Sequence, residues 1–288
     1  TPPALAQRFD ADSKAFHAAL ASDRPKALKA AARLRSTTNA LLAAFGGKRF
    51  SSGDIKALVA TISDSAMRPR YTDYDGSAQA VMVFDCSCDL MNPESGPAMF
   101  AQARIPGAVY AHLDHALSAK GERARTGAMS GGRHPLPARD AFARWLAGVG
   151  FGNHMQAVVY DRNGANYCGR LWWMLKWLGH DAVAVLDGGL QAWQAADGKV
   201  EAGLAALTHT PSTFALKPAL REWLSTAELA PQVGHANLTL IDARGAARYR
   251  GEMEPIDPVA GHIPGALNRP FNENLTADGF FKSPEVLR

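Results

Sequence analysis

From residue 81 onward, short apolar runs of strand length alternate with stretches whose apolar residues recur at helical spacing, the pattern of an α/β protein. The runs Val81 to Phe84, Val158 to Tyr160, Ala182 to Leu186 and Leu238 to Ile241 are followed at once by Asp85, Asp161, Asp187 and Asp242. Largely apolar strands predict a parallel sheet covered on both faces, with function in the loops beyond the carboxyl ends of the strands. Residues 138–149 and 169–178 supply intervening helices, the second turning Leu171, Trp172, Leu175 and Leu178 toward a core. Upstream the texture differs. Residues 10–64 read as helices, opened at Asp10 or Asp12, at Asp23 with Pro25 and at Ser51 or Ser52, and stopped at Gly46 and Gly47. Residues 65–80 read as a linker.

The pattern is also duplicated. Arg104-Ile105-Pro106-Gly107-Ala108-Val109 returns as His262-Ile263-Pro264-Gly265-Ala266-Leu267 at an offset of 158, and Val83-Phe84-Asp85 returns as Leu240-Ile241-Asp242 at 157. Two separated landmarks with almost one offset predict two copies of an α/β unit. The counterpart of Asp161 falls beyond Arg288. The second copy is therefore expected to hold its first strand, its Pro-Gly turn and the start of a helix, but not the strand and loop that match residues 158–169.

Composition narrows the class further. With 288 residues, 47% hydrophobic and 20% charged, the chain accommodates about two globular domains, and no apolar run approaches the roughly 18 residues of a membrane span. Three cysteines are too few for a disulfide scaffold and point to a reducing, cytoplasmic compartment. The net charge of +4 arises N-terminally, where residues 1–80 hold 12 Lys/Arg against 7 Asp. These charges are scattered along helices, which reads as a solvated face and not as a nucleic-acid footprint.

The candidate chemistry is sparse. Phosphate-loop, dinucleotide and zinc motifs are missing, so neither a cofactor nor a metal is expected. Cys86 and Cys88 follow a strand and read as structural thiols, with dithiol redox chemistry as a minor alternative. Cys168 opens a helix, where the macrodipole favours a thiolate, which makes it the best nucleophile candidate present, although packing is the preferred reading. Arg170 is expected to pair with an Asp. Asp187-Gly188-Gly189-Leu190 with Trp193 reads as a structural strand-to-helix turn. Arg244, Arg248 and Arg250, followed by Glu252, Glu254 and Asp257, place guanidinium forks in a loop on the ligand-binding side of the sheet, as an oxyanion site or as an ion-pair network.

Taken together, several blocks resemble the tandem-domain rhodaneses, the thiosulfate and 3-mercaptopyruvate sulfurtransferases. They are Val158-Val159-Tyr160-Asp161, Gly169 to Leu175, Leu178-Gly179-His180, Val185 to Leu190 with Ala192-Trp193, Ile241 to Arg244 through Arg248-Tyr249-Arg250-Gly251, and Glu254-Pro255 through Gly261 to Ala266 to Asp278-Gly279-Phe280-Phe281-Lys282. The resemblance implies two rhodanese-like units with five-stranded parallel sheets flanked by helices. The first, residues 49–205, is non-catalytic, with Asp161 in the cysteine-equivalent position; residues 206–288 begin the second; residues 1–48 form a helical segment without counterpart.

The implied activity moves a sulfane sulfur from a small anionic donor, thiosulfate or 3-mercaptopyruvate, to cyanide or a thiol acceptor through a cysteine persulfide, with no cofactor, nucleic acid or membrane involved. Arg248 matches the family's donor-binding arginine, and Arg250 is a second candidate. Mercaptopyruvate enzymes usually carry a further arginine after the Glu-Pro pair, where Ile256-Asp257 stands here, which leans toward thiosulfate. The catalytic cysteine is expected beyond Arg288, leaving residues 1–288 inactive. The alternative is a non-catalytic rhodanese-like regulatory or interaction module.

Overall fold

The computed structural model describes residue 11, residues 80–120, 131–203 and 209–287. The helices expected over residues 10–64, the segment 1–48 and most of the linker lie outside the described residues, apart from Ala11, which is helical.

Four parallel strands form the main sheet: β1 (Val81–Asp85), β2 (Val109–Tyr110), β3 (Gln156–Tyr160) and β4 (Val183–Val185), in the order β2-β1-β3-β4. Five are expected for a complete unit; the described residues hold these four and an antiparallel bridge between Arg104 and Glu201. Successive side chains of a strand point to opposite faces, and this alternation divides the core in two. Met82, Phe84, Ala157, Val159 and Val183 face one cluster; Val83, Val158, Tyr160 and Ala184 face the other.

Each face is covered by helices placed by their own periodicity. On the first, α2 (Arg139–Gly148) contributes Phe142 and Leu146, and α3 (Cys168–Trp177) contributes Leu171, Met174 and Leu175. On the second, α1 (Ser95–Gln102) contributes Phe100, and α4 (Gly189–Ala195) contributes Leu190 and Trp193. The turn into α4 requires glycine: Gly188 and Gly189 have φ of 78° and 59°, and a Cβ on Gly189 would lie 2.2 Å from the carbonyl oxygen of Asp161.

Residues 212–220 run along the ends of α2 and α3, with Ser212 N–H donating to Ala147 at 2.9 Å, Lys217 N–H to Leu178 at 3.1 Å and Leu220 N–H to Lys176 at 2.9 Å. Beyond them α5 (Thr226–Leu229) opens on a capping box: Ser225 Oγ accepts from Glu228 N–H at 3.2 Å, and Ser225 N–H donates to Glu228 Oε2 at 2.8 Å. Then come β5 (Ile241–Asp242), α6 (Ala246–Tyr249), β6 (Leu267–Asn268) and α7 (Pro284–Leu287). The strand expected from Leu238 begins only at Ile241, in a pairing with β6 alone.

The duplication seen in the sequence is reproduced in register. Phe84 pairs with Val109 and Asp85 with Tyr110; Ile241 pairs with Leu267 and Asp242 with Asn268. Gly107 and Gly265 turn at φ of 74° and 81°, and the N–H groups of Ala108 and Ala266 each donate at 3.0 Å to the carbonyls of Ile105 and Ile263.

Candidate functional site

At the carboxyl end of β3 the chain folds a ring of backbone donors around one side chain. Gly164 and Ala165 are both left-handed, with φ of 67° and 63°, which turns consecutive N–H groups inward. The Asp161 carboxylate fills the ring: Oδ1 accepts from the N–H groups of Asn163 at 2.8 Å and Ala165 at 3.0 Å, and Oδ2 from those of Tyr167 at 2.8 Å and Cys168 at 2.9 Å. The loop is an anion cradle whose anion belongs to the protein.

The cysteines stand nearby but inside the protein. Cys86, Cys88 and Cys168 are free thiols and all are buried. Burial first, and then the Asp161 carboxylate, pushes the Cys168 thiol well above the ordinary range. The preferred packing role holds and the nucleophile alternative falls: the donors at the helix N-terminus are spent on Asp161, and Cys168 packs in the core. Burial, then Asp161 and Asp85, raises Cys86 likewise, and burial with Asp114 raises Cys88 to about 11. Arg170, expected to meet an Asp, instead donates to the carbonyls of Leu117 at 2.8 Å and His134 at 2.9 Å.

The second set of candidates lies after β5. Asp242 Oδ1 accepts the N–H of Arg244 at 2.9 Å, as Asp85 Oδ1 accepts that of Ser87 at 2.8 Å in the first unit. Arg244 Nη2 donates to Asp242 at 2.6 Å and to the Gly261 carbonyl at 2.6 Å; this contact holds the Asp242 carboxyl below the usual carboxylate range. Arg248 is gripped by Glu254, with Nε donating to Oε2 at 3.0 Å and Nη2 to Oε1 at 2.7 Å, and it also donates to Asp257 at 2.9 Å. Backbone N–H groups of Asp257 and Ile256, with Arg248, hold the Glu254 carboxyl low. Arg250 points away and forms an exposed pair with Glu252 at 2.6 Å.

Of the two arginines singled out from the sequence, Arg248 is thus anchored within the network and Arg250 is at its edge. Beside them a cleft of about 550 Å³ is lined by Ile241, Asp242, Arg244, Val259, His262 and Ile263 among others. His262 stacks on Tyr249 with ring centroids 3.7 Å apart.

Three features escape sequence reasoning. Arg162 ties the ends of β1 and α1 together, donating to Asp85 at 3.3 Å and to the Met99 carbonyl at 3.1 Å. Asp114 forms an ion pair with Lys120 at 2.7 Å and lies 3.1 Å from His134 Nε2. Arg133 reaches Asp257 at 3.4 Å across 124 residues. Local pattern carries no signal for such long-range polar pairs. Among the described residues no cluster of three His, Cys, Asp or Glu side chains could hold a metal.

Comparison with known proteins agrees with this geometry. Residues 75–196 match the rhodanese-like domain. The chain is 42% identical over 208 residues to a protein of Pseudomonas aeruginosa named "Probable 3-mercaptopyruvate sulfurtransferase", covering 72% of this chain and 71% of that one. It is 36% identical over 160 residues to thiosulfate sulfurtransferase of Bos taurus, covering 53% of this chain and 52% of the relative. The structure of 3-mercaptopyruvate sulfurtransferase from Leishmania major superposes with a TM-score of 0.67 at 28% identity, over 84% of this chain and 60% of that chain. The chain therefore belongs to the rhodanese family of sulfurtransferases.

Proposed function

We propose that the protein binds a small anionic sulfur donor, thiosulfate or 3-mercaptopyruvate, at Arg248, and serves the transfer of its sulfane sulfur to cyanide or a thiol. The observation that carries the reading is the anchoring of Arg248. A buried carboxylate, Glu254, fixes its guanidinium at the carboxyl end of β5, where α/β sheets bind ligands, and a planar fork so fixed suits an oxyanion. Arg250, exposed and paired with Glu252, contributes long-range attraction more than contact.

In the transfer itself a thiolate attacks the outer sulfur of the donor. The donor's bond to that sulfur breaks with the electron pair leaving on sulfite, or on the enolate of pyruvate, which takes up the proton of the donor thiol, and the resulting persulfide yields its outer sulfur to the acceptor. None of Cys86, Cys88 and Cys168 suits the role, because all are buried and their thiolates are disfavoured. Residues 1–288 by themselves accordingly bind donor without turning it over. The boundary between the silent first unit and the donor-binding second unit lies near residue 205, and the site is cytoplasmic. Among the described residues no helix is long and apolar enough to cross a membrane.

Isothermal titration with thiosulfate tests the reading. Arg248→Ala is expected to weaken binding by at least roughly tenfold, as for loss of a charge-assisted contact. Arg250→Ala is expected to change it less than about threefold. Equal effects from the two variants, or no dependence on Arg248, would remove the basis for the assignment.

A further inference from the structure

Asp257 stands between two guanidinium groups that come from different units. Arg248 Nη2 donates to Oδ2 at 2.9 Å; Arg133, between β2 and α2 of the first unit, approaches Oδ1 at 3.4 Å and also donates to the Ile256 carbonyl. These groups are held with unequal firmness. Glu254, with its side chain 5% exposed, grips Arg248 through both carboxylate oxygens, and its Oε1 accepts the N–H groups of Ile256 and Asp257. Arg248 and the turn therefore keep their place without help from the Asp257 side chain. The Asp257 carboxylate itself is 45% exposed, and a half-exposed ion pair contributes little net free energy.

Displacing that carboxylate changes the local charge. Arg133, Arg244 and Arg248 then face only Asp242 and Glu254 within this network, a surplus of one positive charge around an opening that already accommodates one carboxylate. Two guanidinium groups that reach different oxygens of one carboxylate suit a group with at least two adjacent anionic oxygens. A carboxylate or the oxygen face of a thiosulfate meets that description.

We propose that Arg133 is a specificity-determining residue of the donor site: with Arg248 it forms a clamp of two guanidinium groups, one from each unit, and Asp257 is the resident anion that the donor displaces. The proposal rests on the reading of Arg248 given above and adds a requirement for the first unit. That unit contributes to donor recognition although its own cradle is filled by Asp161.

The test is calorimetric titration of the full chain and its variants with thiosulfate and, separately, with 3-mercaptopyruvate. Arg133→Ala is expected to weaken donor binding roughly tenfold, and Asp257→Asn, which empties the clamp of its competing charge, to tighten it by about three- to tenfold. Because the second effect is a gain, misfolding cannot imitate it. Binding that depends on Arg248 but is unmoved by Arg133→Ala and Asp257→Asn overturns the clamp and leaves the donor site standing. Binding indifferent to Arg248→Ala overturns the donor site and the clamp with it. Loss of affinity for one donor alone in Arg133→Ala supports the clamp and identifies which donor it selects.

Discussion

The two copies of the repeat place chemically similar residues in equivalent positions with opposite burial. Phe84, Ile105 and Val109 of the first copy are at most 9% exposed, whereas Ile241, Ile263 and Leu267 of the second are between 51% and 63% exposed. Strand pairing and the Pro-Gly turn are nevertheless the same in both. Local geometry is therefore set by the motif itself, by glycine in the left-handed region and by the parallel register. The core is set by what covers the motif. In the first copy β3, β4 and the helices α1 to α4 supply that cover, and among the described residues nothing equivalent stands over β5. Among the described residues of the second copy, Ala266 and Pro270 are buried.

Two loops at the carboxyl ends of strands, one after β3 in the first copy and one after β5, the counterpart of β1, in the second, handle charge differently. In the first copy the anion is internal: Asp161 satisfies four backbone donors and no room is left for a ligand anion. In the second, guanidinium groups are balanced by carboxylates, and one of these, Asp257, is half exposed. One loop encloses its carboxylate and the other leaves one half exposed.

The largest effect expected from this contrast is on stability. Phe84→Ala removes a fully buried ring from the first core and is expected to cost about 3–5 kcal/mol in urea unfolding. Ile241→Ala at the equivalent position is expected to cost under about 1 kcal/mol. Equal costs would break the comparison.

Next in size is the cradle. Asp161→Ala strands four inward-facing N–H groups and is expected to cost on the order of 3 kcal/mol, with a smaller loss for Asp161→Asn, which keeps one acceptor oxygen. Amide hydrogen exchange at Asn163, Ala165, Tyr167 and Cys168 should accelerate in the alanine variant. Unchanged protection there would show that the carboxylate is incidental to the loop.

A smaller effect concerns acid. Asp242 and Glu254 have folded-state pKa values held below the ordinary carboxylate range, so their contribution is fully present above the unfolded value of about 4 and is lost as pH falls through the depressed folded values. Side-chain NMR signals of Arg244 and Arg248 should broaden only below about pH 4. Broadening between neutral and alkaline pH would contradict these ion pairs. The smallest effect is expected from Arg250→Ala, which removes one exposed pair and should leave Tm unchanged within error.

Much of this was legible in the chain because it rests on periodicity and punctuation. Strands β1, β3 and β4, helices α2 and α3, and the glycine turn before α4 all lie where apolar runs, helical spacing and Gly188-Gly189 placed them. The repeat aligns β5 with β1 and the second Pro-Gly turn with the first, whereas β2 and β6, two residues each, carry no strand signal of their own. The preferred packing role of Cys168 holds, since it sits in the core, whereas the Asp partner expected for Arg170 is replaced by the carbonyls of Leu117 and His134, which tertiary packing brings to it. Arg133 was invisible for the same reason, since its contact with Asp257 crosses from one unit to the other.

The central claim is that the second unit binds the donor at Arg248 while none of the chain's three cysteines carries the sulfur. Intact-mass analysis after incubation with thiosulfate, set beside a calorimetric titration of the same sample, tests it most directly. The account predicts saturable binding that is lost in Arg248→Ala, with no gain of a sulfur atom in mass. A persulfide on Cys86, Cys88 or Cys168, formed equally well in Arg248→Ala, would contradict it.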